Sequence, residues 1–181
     1  MVTDRYHEQR DADGRACKEA ALIYLARGWS VIPLCPPDHV GVGREHGKQC
    51  KSGSHGKSPL VSWLEFQKRR ATPAEVERWW TTWPSANVGV IMGHISELIG
   101  LDIDGEAGLA KARELAAGPL PPGGRFLTPS GGLRVLLSIN DATTLILRSS
   151  FQSAGVKQEL RFLAEGTQTV VPPSRHQAGG Y

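Results

Sequence analysis

Apolar residues recur at helical spacing near the start of the chain. They fall within residues 11–27 and are Ala16, Ala20, Leu22, Ile23, Leu25 and Ala26. Gly28 follows where such a helix would stop, because glycine adopts the left-handed conformation that ends many helices. The apolar run Trp29–Leu34 then predicts a buried strand, which ends before Pro36 and Pro37.

Start and stop signals mark further elements along the chain. The segment Thr72-Pro73-Ala74-Glu75 is typical of a helix start, with a threonine cap and a glutamate that reaches back to it, and this helix ends before Pro84. A further helix is predicted at 105–117, strands are predicted at 88–92, 133–139, 159–163 and 167–171, and a polar loop is predicted at 38–58. Helices and strands mixed in this order, with hairpins, predict the α+β class.

Two carboxylates lie one residue apart where an apolar run ends, at Asp102 and Asp104. Alternate side chains of a strand project from opposite faces, so both aspartates are expected on one face while Leu101 and Ile103 fill the core. Mg²⁺ and Mn²⁺ prefer such oxygen ligands, and two-metal sites use them in phosphoryl transfer. The pair indicates the catalytic strand of a nucleotidyl transferase, and a solvated turn is the alternative.

Composition and charge narrow the class of protein. The chain has 181 residues, of which 40% are hydrophobic, enough for one well-buried domain. Its formal net charge of +3 suits a phosphorylated partner without by itself indicating nucleic acid. No apolar run has the length of a membrane span and the polar start differs from a secretory signal, so a cytoplasmic protein without a membrane partner is expected. The cysteines, Cys17, Cys35 and Cys50, favour plain thiols or metal ligands over disulfides.

Several motifs occur together in one order along the chain. They are Gly56-Lys57-Ser58-Pro59, Trp79-Trp80, Asn87-Val88-Gly89-Val90, Leu101-Asp102-Ile103-Asp104, Thr128-Pro129-Ser130-Gly131-Gly132, Glu159-Leu160-Arg161 and Val170-Val171-Pro172-Pro173-Ser174. In these motifs the chain resembles the bifunctional primase–polymerase domain of the archaeo-eukaryotic primase superfamily, which is common in replication proteins of plasmids, phages and other mobile elements. The resemblance covers nearly the whole chain, from Ala21 to His176.

This resemblance implies a fold, a reaction and partners. The implied fold is one catalytic domain over residues 1–181, with a mixed or antiparallel sheet like that of the RNA-recognition fold, flanking helices, and an N-terminal α/β part that carries the 35–58 loop as an insertion. The implied reaction joins nucleoside triphosphates on a single-stranded or primed DNA template, with Mg²⁺ or Mn²⁺. The chain is expected to be a piece of a longer replication protein, with a helicase module or another replication factor as partner.

The resemblance also implies roles for individual residues. The catalytic metal ligands that it implies are Asp102, Asp104 and Glu159. The residues that it implies for binding nucleotide are Ser130, Gly131, Gly132, Arg134, Arg161, Ser174, His176 and Lys57. A hairpin turn is the alternative for the glycine-containing segment, a solvated loop lysine for Lys57 and an exposed tail for His176.

Two positions depart from the family's pattern and open further hypotheses. Arg134 stands where the family usually has a histidine, and arginine preserves phosphate binding but not the proton chemistry of a neutral imidazole. A catalytically weakened module that binds nucleotide or DNA is therefore a second hypothesis. Glu159 stands where the family usually has an aspartate as its third metal-binding carboxylate. Glu165 is the alternative residue for this position. A third hypothesis is a haloacid-dehalogenase-like phosphatase, since Asp102-Ile103-Asp104-Gly105 also matches that nucleophile loop.

A separate metal site is predicted in the 35–58 loop. The mixed sulfur and nitrogen ligands of a tetrahedral zinc site are offered there by Cys35, His46, Cys50 and His55. His39 is a competing ligand, and chance histidines in a loop are the alternative. Some members of the resembling family carry a zinc-binding insertion at this place.

Overall fold

The computed structural model describes residues 2–50, 54–139, 150–151 and 160–181. The chain divides into two compact units, Met1–Ile91 with Thr169–Tyr181, and Met92–Gln168. Each unit combines helix and sheet, which confirms the mixed α+β class. The interpretation of residues 1–181 as one catalytic domain stays a prediction. No helix among the described residues is both long and apolar enough to cross a membrane.

The described residues form helices and strands with the following bounds. The α-helices are α1 (Val2–Ala26), α2 (Arg44–Gln49), α3 (Pro73–Thr82) and α4 (Gly105–Leu115), and a short 3₁₀ helix covers Glu65–Gln67. The strands are β1 (Ser30–Leu34), β2 (Asn87–Ile91), β3 (Leu98–Ile103), β4 (Gly124–Leu127), β5 (Leu133–Ser138), β6 (Ser150–Phe151), β7 (Leu160–Leu163), β8 (Gln168–Val170), β9 (Arg175–His176) and β10 (Gly179–Gly180).

The first unit contains a sheet with the strand order β1-β2-β8. Strands β1 and β2 are antiparallel and completely buried, as a continuous apolar run predicts. Helix α1 begins at Val2, well before the predicted start near Asp11. The prediction missed the first turns because their sequence has no apolar residues at helical spacing. Its end agrees with the prediction, since Gly28 has a φ of +86° and Trp29 N donates to Tyr24 O at 3.1 Å.

The start of α3 is set by its own first turn. Glu75 N donates to Thr72 Oγ1 at 3.2 Å, and Thr72 N donates to Glu75 Oε2 at 2.8 Å, which completes the predicted capping box. Pro73 occupies the first turn, where its missing N–H costs nothing. Trp79 and Trp80 then bury their rings on the inner face of the helix.

The second unit is built on a five-stranded sheet with the order β4-β5-β3-β7-β6. Strand β3 lies at its centre and is antiparallel to both β5 and β7. The buried core on one face consists of Leu101, Ile103, Ala112, Val135 and Leu160. Because side chains alternate along β3, Asp102 lies on the opposite face from this core.

Several observed elements were not predicted from the sequence: strand β4, helix α2, the short 3₁₀ helix, and the two-residue strands β6, β9 and β10. Strand β4 follows a run of prolines and glycines and is mostly exposed. Its sequence therefore has neither a recognisable start signal nor the alternation of apolar and polar residues that predicts a strand. Helix α2 lies inside the segment predicted as a polar loop and has no buried stripe of its own. The strand predicted at 159–163 is observed as β7, and Glu159 lies outside the described residues.

Candidate functional site

The two aspartates lie at the end of the central strand of the second unit. Asp102 is the penultimate residue of β3 and is buried. Asp104 is the N-cap of α4 and keeps an extended backbone, with φ −111° and ψ 125°, so the alternation of the strand continues through it. Its side chain makes no capping hydrogen bond to α4. The extended backbone therefore directs both carboxylates to the face away from Leu101 and Ile103.

Asp102 is held between two arginines that stand directly opposite it on the neighbouring strands. The strand register pairs Asp102 with Arg134 of β5 and with Arg161 of β7. Arg134 Nη2 lies 2.5 Å from Asp102 Oδ1, and Arg161 Nη2 lies 2.8 Å from Oδ2. Burial alone would raise the pKa of Asp102, but Arg134, and then Arg161, outweigh it and lower that pKa below its usual value.

The two ion pairs differ in their exposure to solvent. The side chains of Asp102 and Arg134 are 7% and 12% exposed, whereas that of Arg161 is 47% exposed. A buried pair feels a lower dielectric than an exposed one. The Asp102–Arg134 pair is therefore the stronger of the two and the more costly to break.

The segment from Thr128 to Gly132 forms the hairpin turn between β4 and β5. Thr128 N donates to Gly132 O at 2.8 Å, Gly131 N donates to Thr128 O at 2.8 Å, and Gly132 N donates to Thr128 Oγ1 at 3.1 Å. Gly131 has a φ of +85°, which favours glycine. The Ser130 hydroxyl lies 3.1 Å from Thr128 Oγ1. The two glycine amides are thus used inside the turn, and nucleotide contact by Ser130, Gly131 and Gly132 stays a prediction.

Gly132 brings this turn against Asp104. A methyl group at Gly132 would overlap Asp104 Oδ1 and would lie 3.0 Å from Ile103 O. Only glycine allows the turn to approach the aspartate this closely. All of these residues belong to the motifs of the sequence, but their contact depends on the pairing of β5 with β3.

The predicted third carboxylate is Glu159, which lies outside the described residues. Its rival Glu165 accepts a hydrogen bond from His94 N at 3.0 Å, and its Oε2 also lies 3.0 Å from His94 Nδ1. His94 follows Gly93, which forms a bridge with Leu98 at the opposite end of β3 from Asp102. Four residues of strand span roughly 13 Å, so Glu165 is placed too far along β3 to share a cation with Asp102.

A second cluster of ligand-type side chains lies in the first unit, after β1. The ligand atoms of Cys35, His39, His46 and Cys50 all lie within 4.8 Å of one another. The predicted set had His55 as the fourth ligand and His39 as a competing ligand, and the observed cluster contains His39. The turn after β1 folds back, with His39 N donating to Pro36 O at 3.2 Å, and this brings His39 to the cysteines. The His55 ring instead packs on the His39 ring, with centroids 4.2 Å apart.

The protonation of this cluster suits a metal ion. Burial lowers the pKa of both His39 and His46, so their rings are neutral at pH 7 and can donate a nitrogen lone pair. The Nε2 atoms of these two histidines are buried and have no hydrogen-bond partner. Burial raises the pKa of the Cys35 thiol, so metal binding would release its proton. Unpartnered buried nitrogens beside thiols are a donor set that suits a zinc ion.

The other predicted nucleotide contacts lie in the first unit. Ser174 is fully buried, accepts from Val88 N at 2.9 Å and donates to Val88 O at 3.1 Å, so its hydroxyl holds the chain to β2. Burial, followed by the charges of Lys57 and His55, lowers the pKa of His176. Lys57 and His176 therefore lie near each other. Nucleotide contact by Lys57, Ser174 and His176 stays a prediction.

Comparison with known proteins agrees with the motif order in the sequence. The family model for the N-terminal domain of bifunctional DNA primase/polymerases matches residues 21–181. Comparison with curated proteins gives no match. The family match covers most of the chain and includes both aspartates and both arginines around Asp102. This chain therefore belongs to the bifunctional DNA primase/polymerase family, and the matched residues correspond to the N-terminal domain of that family.

Proposed function

We propose that this chain is a template-dependent nucleotidyl transferase that joins nucleoside triphosphates on single-stranded or primed DNA, in the replication of a plasmid, a phage or another mobile element. The observation that carries the proposal is the pair Asp102 and Asp104 at the end of the central strand, with the Gly132 turn against Asp104. Two neighbouring carboxylates, with a glycine-containing turn packed against one of them, suit metal-dependent phosphoryl transfer. Family membership supplies the reaction class.

Asp102, Asp104 and Glu159 are the residues that would hold Mg²⁺ or Mn²⁺. Carboxylate oxygens are the donors that these cations prefer. Cations bound there would favour the ionised 3′ hydroxyl and neutralise charge on the pyrophosphate leaving group. Each oxygen of Asp102 accepts a hydrogen bond from an arginine, so a cation at Asp102 would stand beside a guanidinium group.

The chain's own cations and turn would hold the incoming nucleotide. Arg134 and Arg161 present guanidinium forks, which match phosphate oxygens as well as carboxylate oxygens. The Ser130 hydroxyl, at the tip of the β4–β5 hairpin, is a further donor for phosphate. We also propose that the five-stranded sheet of the second unit corresponds to the RNA-recognition-like core of the family, and that a helicase module or another replication factor acts with this domain.

Template-dependent incorporation tests the proposed function. The assay supplies a primed or single-stranded template, Mn²⁺, and ribo- or deoxynucleoside triphosphates in separate reactions. We expect incorporation by the wild type and a loss to background in Asp104→Asn, which keeps the shape of a partly buried side chain. Glu106→Gln is the matched control, because Glu106 is an exposed carboxylate in the first turn of α4. Full activity of Asp104→Asn would contradict the proposal.

A weakened binding module is the second candidate, and one observation favours it. Both oxygens of Asp102 are engaged by arginines, one of which, Arg134, replaces the usual histidine of the resembling family. Such a module would bind deoxynucleoside triphosphate without incorporating it, and Arg134→His would restore incorporation. The phosphatase hypothesis finds no support in the family match, which is to the bifunctional DNA primase/polymerase domain.

We propose in addition that Cys35, His39, His46 and Cys50 hold a structural Zn²⁺. Four protein ligands close a tetrahedral site and leave no position for substrate, which is typical of structural rather than catalytic zinc. Such an ion would tie helix α2 to the end of β1. The two unpartnered histidine nitrogens support this assignment.

A further inference from the structure

The hydrogen bonds of Asp102 oppose the binding of a cation to it. Arg134 Nη2 donates to Oδ1 and Arg161 Nη2 donates to Oδ2. Each of these charge-assisted hydrogen bonds occupies one lone pair of its oxygen. A cation that approached either oxygen would also stand beside a guanidinium group and would be repelled by it.

Among the described side chains at this aspartate, the formal charges cancel. Asp102 and Asp104 are acidic, whereas Arg134 and Arg161 are basic. A divalent cation on its own therefore gains little from these four side chains. A nucleoside triphosphate changes the balance, because it brings several negative charges and phosphate oxygens that guanidinium groups can bind.

The two arginines differ in their freedom to leave Asp102. The Arg134 side chain is 12% exposed, whereas the Arg161 side chain is 47% exposed. Exposed side chains change rotamer on the picosecond to nanosecond timescale, and Arg161 can do so without disturbing a packed core. Phosphate oxygens that arrive at this face can therefore take Arg161 from Asp102 more readily than Arg134.

We propose that Arg161 gates the metal site: it occupies Asp102 Oδ2 while no nucleotide is bound, and it moves to the phosphates when a triphosphate binds, which frees Oδ2 for a cation. Arg134 stays on Oδ1 and orients the carboxylate. The cation and the triphosphate consequently bind together, and each raises the affinity for the other. This inference rests on the proposed function, because it takes Asp102 as a metal ligand.

Mn²⁺ binding in the absence of nucleotide tests the gate without any turnover. The electron paramagnetic resonance signal of free Mn²⁺ decreases as the ion binds and so gives its dissociation constant. We expect Arg161→Gln to bind Mn²⁺ about tenfold more tightly than the wild type, and Arg161→Lys to lie between them because lysine lacks the fork. Arg125→Gln is the matched control, since Arg125 is an exposed arginine of β4 that donates to Pro121 O. Its Mn²⁺ affinity should equal that of the wild type.

An oxyanion tests the exchange of partners. Sulfate binds Mn²⁺ weakly but is a good ligand for guanidinium groups. When sulfate replaces chloride at constant ionic strength, Mn²⁺ binding should tighten in the wild type and stay unchanged in Arg161→Gln. Unchanged binding in the wild type would overturn the exchange.

The outcomes separate the gate from the proposed function. Equal Mn²⁺ affinity of the wild type and Arg161→Gln, combined with loss of binding in Asp104→Asn, overturns the gate and leaves the metal site standing. If binding by Arg161→Gln survives both Asp102→Asn and Asp104→Asn, the cation lies elsewhere, and the proposed metal site fails together with the gate. Circular dichroism of each variant verifies that it is folded.

Discussion

Replacing Asp102 by asparagine should destabilise the second unit by an amount that the structure allows us to estimate. Asparagine has nearly the same shape as aspartate, so no cavity is created, but the negative charge is lost. Arg134, which is 12% exposed, would then face a neutral amide. Removing one partner of a buried ion pair costs about 3 kcal/mol, because the other charge remains buried without compensation. The half-exposed Arg161 adds less than about 1 kcal/mol, since it can return to water.

Thermal unfolding followed by circular dichroism at pH 7 measures this loss. For a chain of this size a change of 1 kcal/mol shifts the melting temperature by roughly 2–4 °C, so Asp102→Asn should lower it by about 6–12 °C. Because the chain divides into two compact units, hydrogen exchange of the β3 amides assigns the loss to the unit that contains the substitution.

Asp104→Asn is the matched control, because it removes the same charge from a partly buried position at a helix N-terminus. There the loss should be below about 1 kcal/mol, the usual contribution of an acid near a helix start. A melting temperature of Asp102→Asn equal to that of the wild type would refute the reasoning, since it would mean that Arg134 does not depend on Asp102. Arg161→Gln should likewise be far less destabilised than Asp102→Asn.

Three further predictions concern other parts of the molecule. Gly132→Ala should reduce incorporation by about 100-fold, because the added methyl group displaces a carboxylate of the site, and steady-state assays of the folded variant would measure this. The purified protein should contain about one zinc ion per chain, which His39→Ala loses and His55→Ala keeps, as measured by elemental analysis. Glu75→Gln should lower the melting temperature at pH 7, because Arg69 lowers the pKa of that carboxyl from 4.5 to about 2 and the ionised form stabilises the fold. This difference should shrink as the pH falls below 4.5 and vanish near pH 2, and a difference that persists there would contradict the assignment.

The sequence by itself determined the helix boundaries that depend on interactions between residues close together in the chain. The capping box of Thr72 and Glu75 set the start of α3, and Gly28 set the end of α1. The alternation around Asp102 correctly predicted that Leu101 and Ile103 are buried. The order of motifs along the chain was sufficient to indicate the primase/polymerase family, because that order is itself a property of the sequence.

Tertiary structure alone decided which side chains meet. The sequence names Arg134 and Arg161 but does not say that β5 and β7 flank β3 in a register that sets both opposite Asp102. Likewise, only the folding of the turn after β1 chooses His39 over His55 as the partner of the cysteines. The physical reason is the same in both cases. Strand pairing and loop packing depend on burial and hydrogen bonds between segments far apart in the chain, and the propensities of neighbouring residues do not determine these contacts.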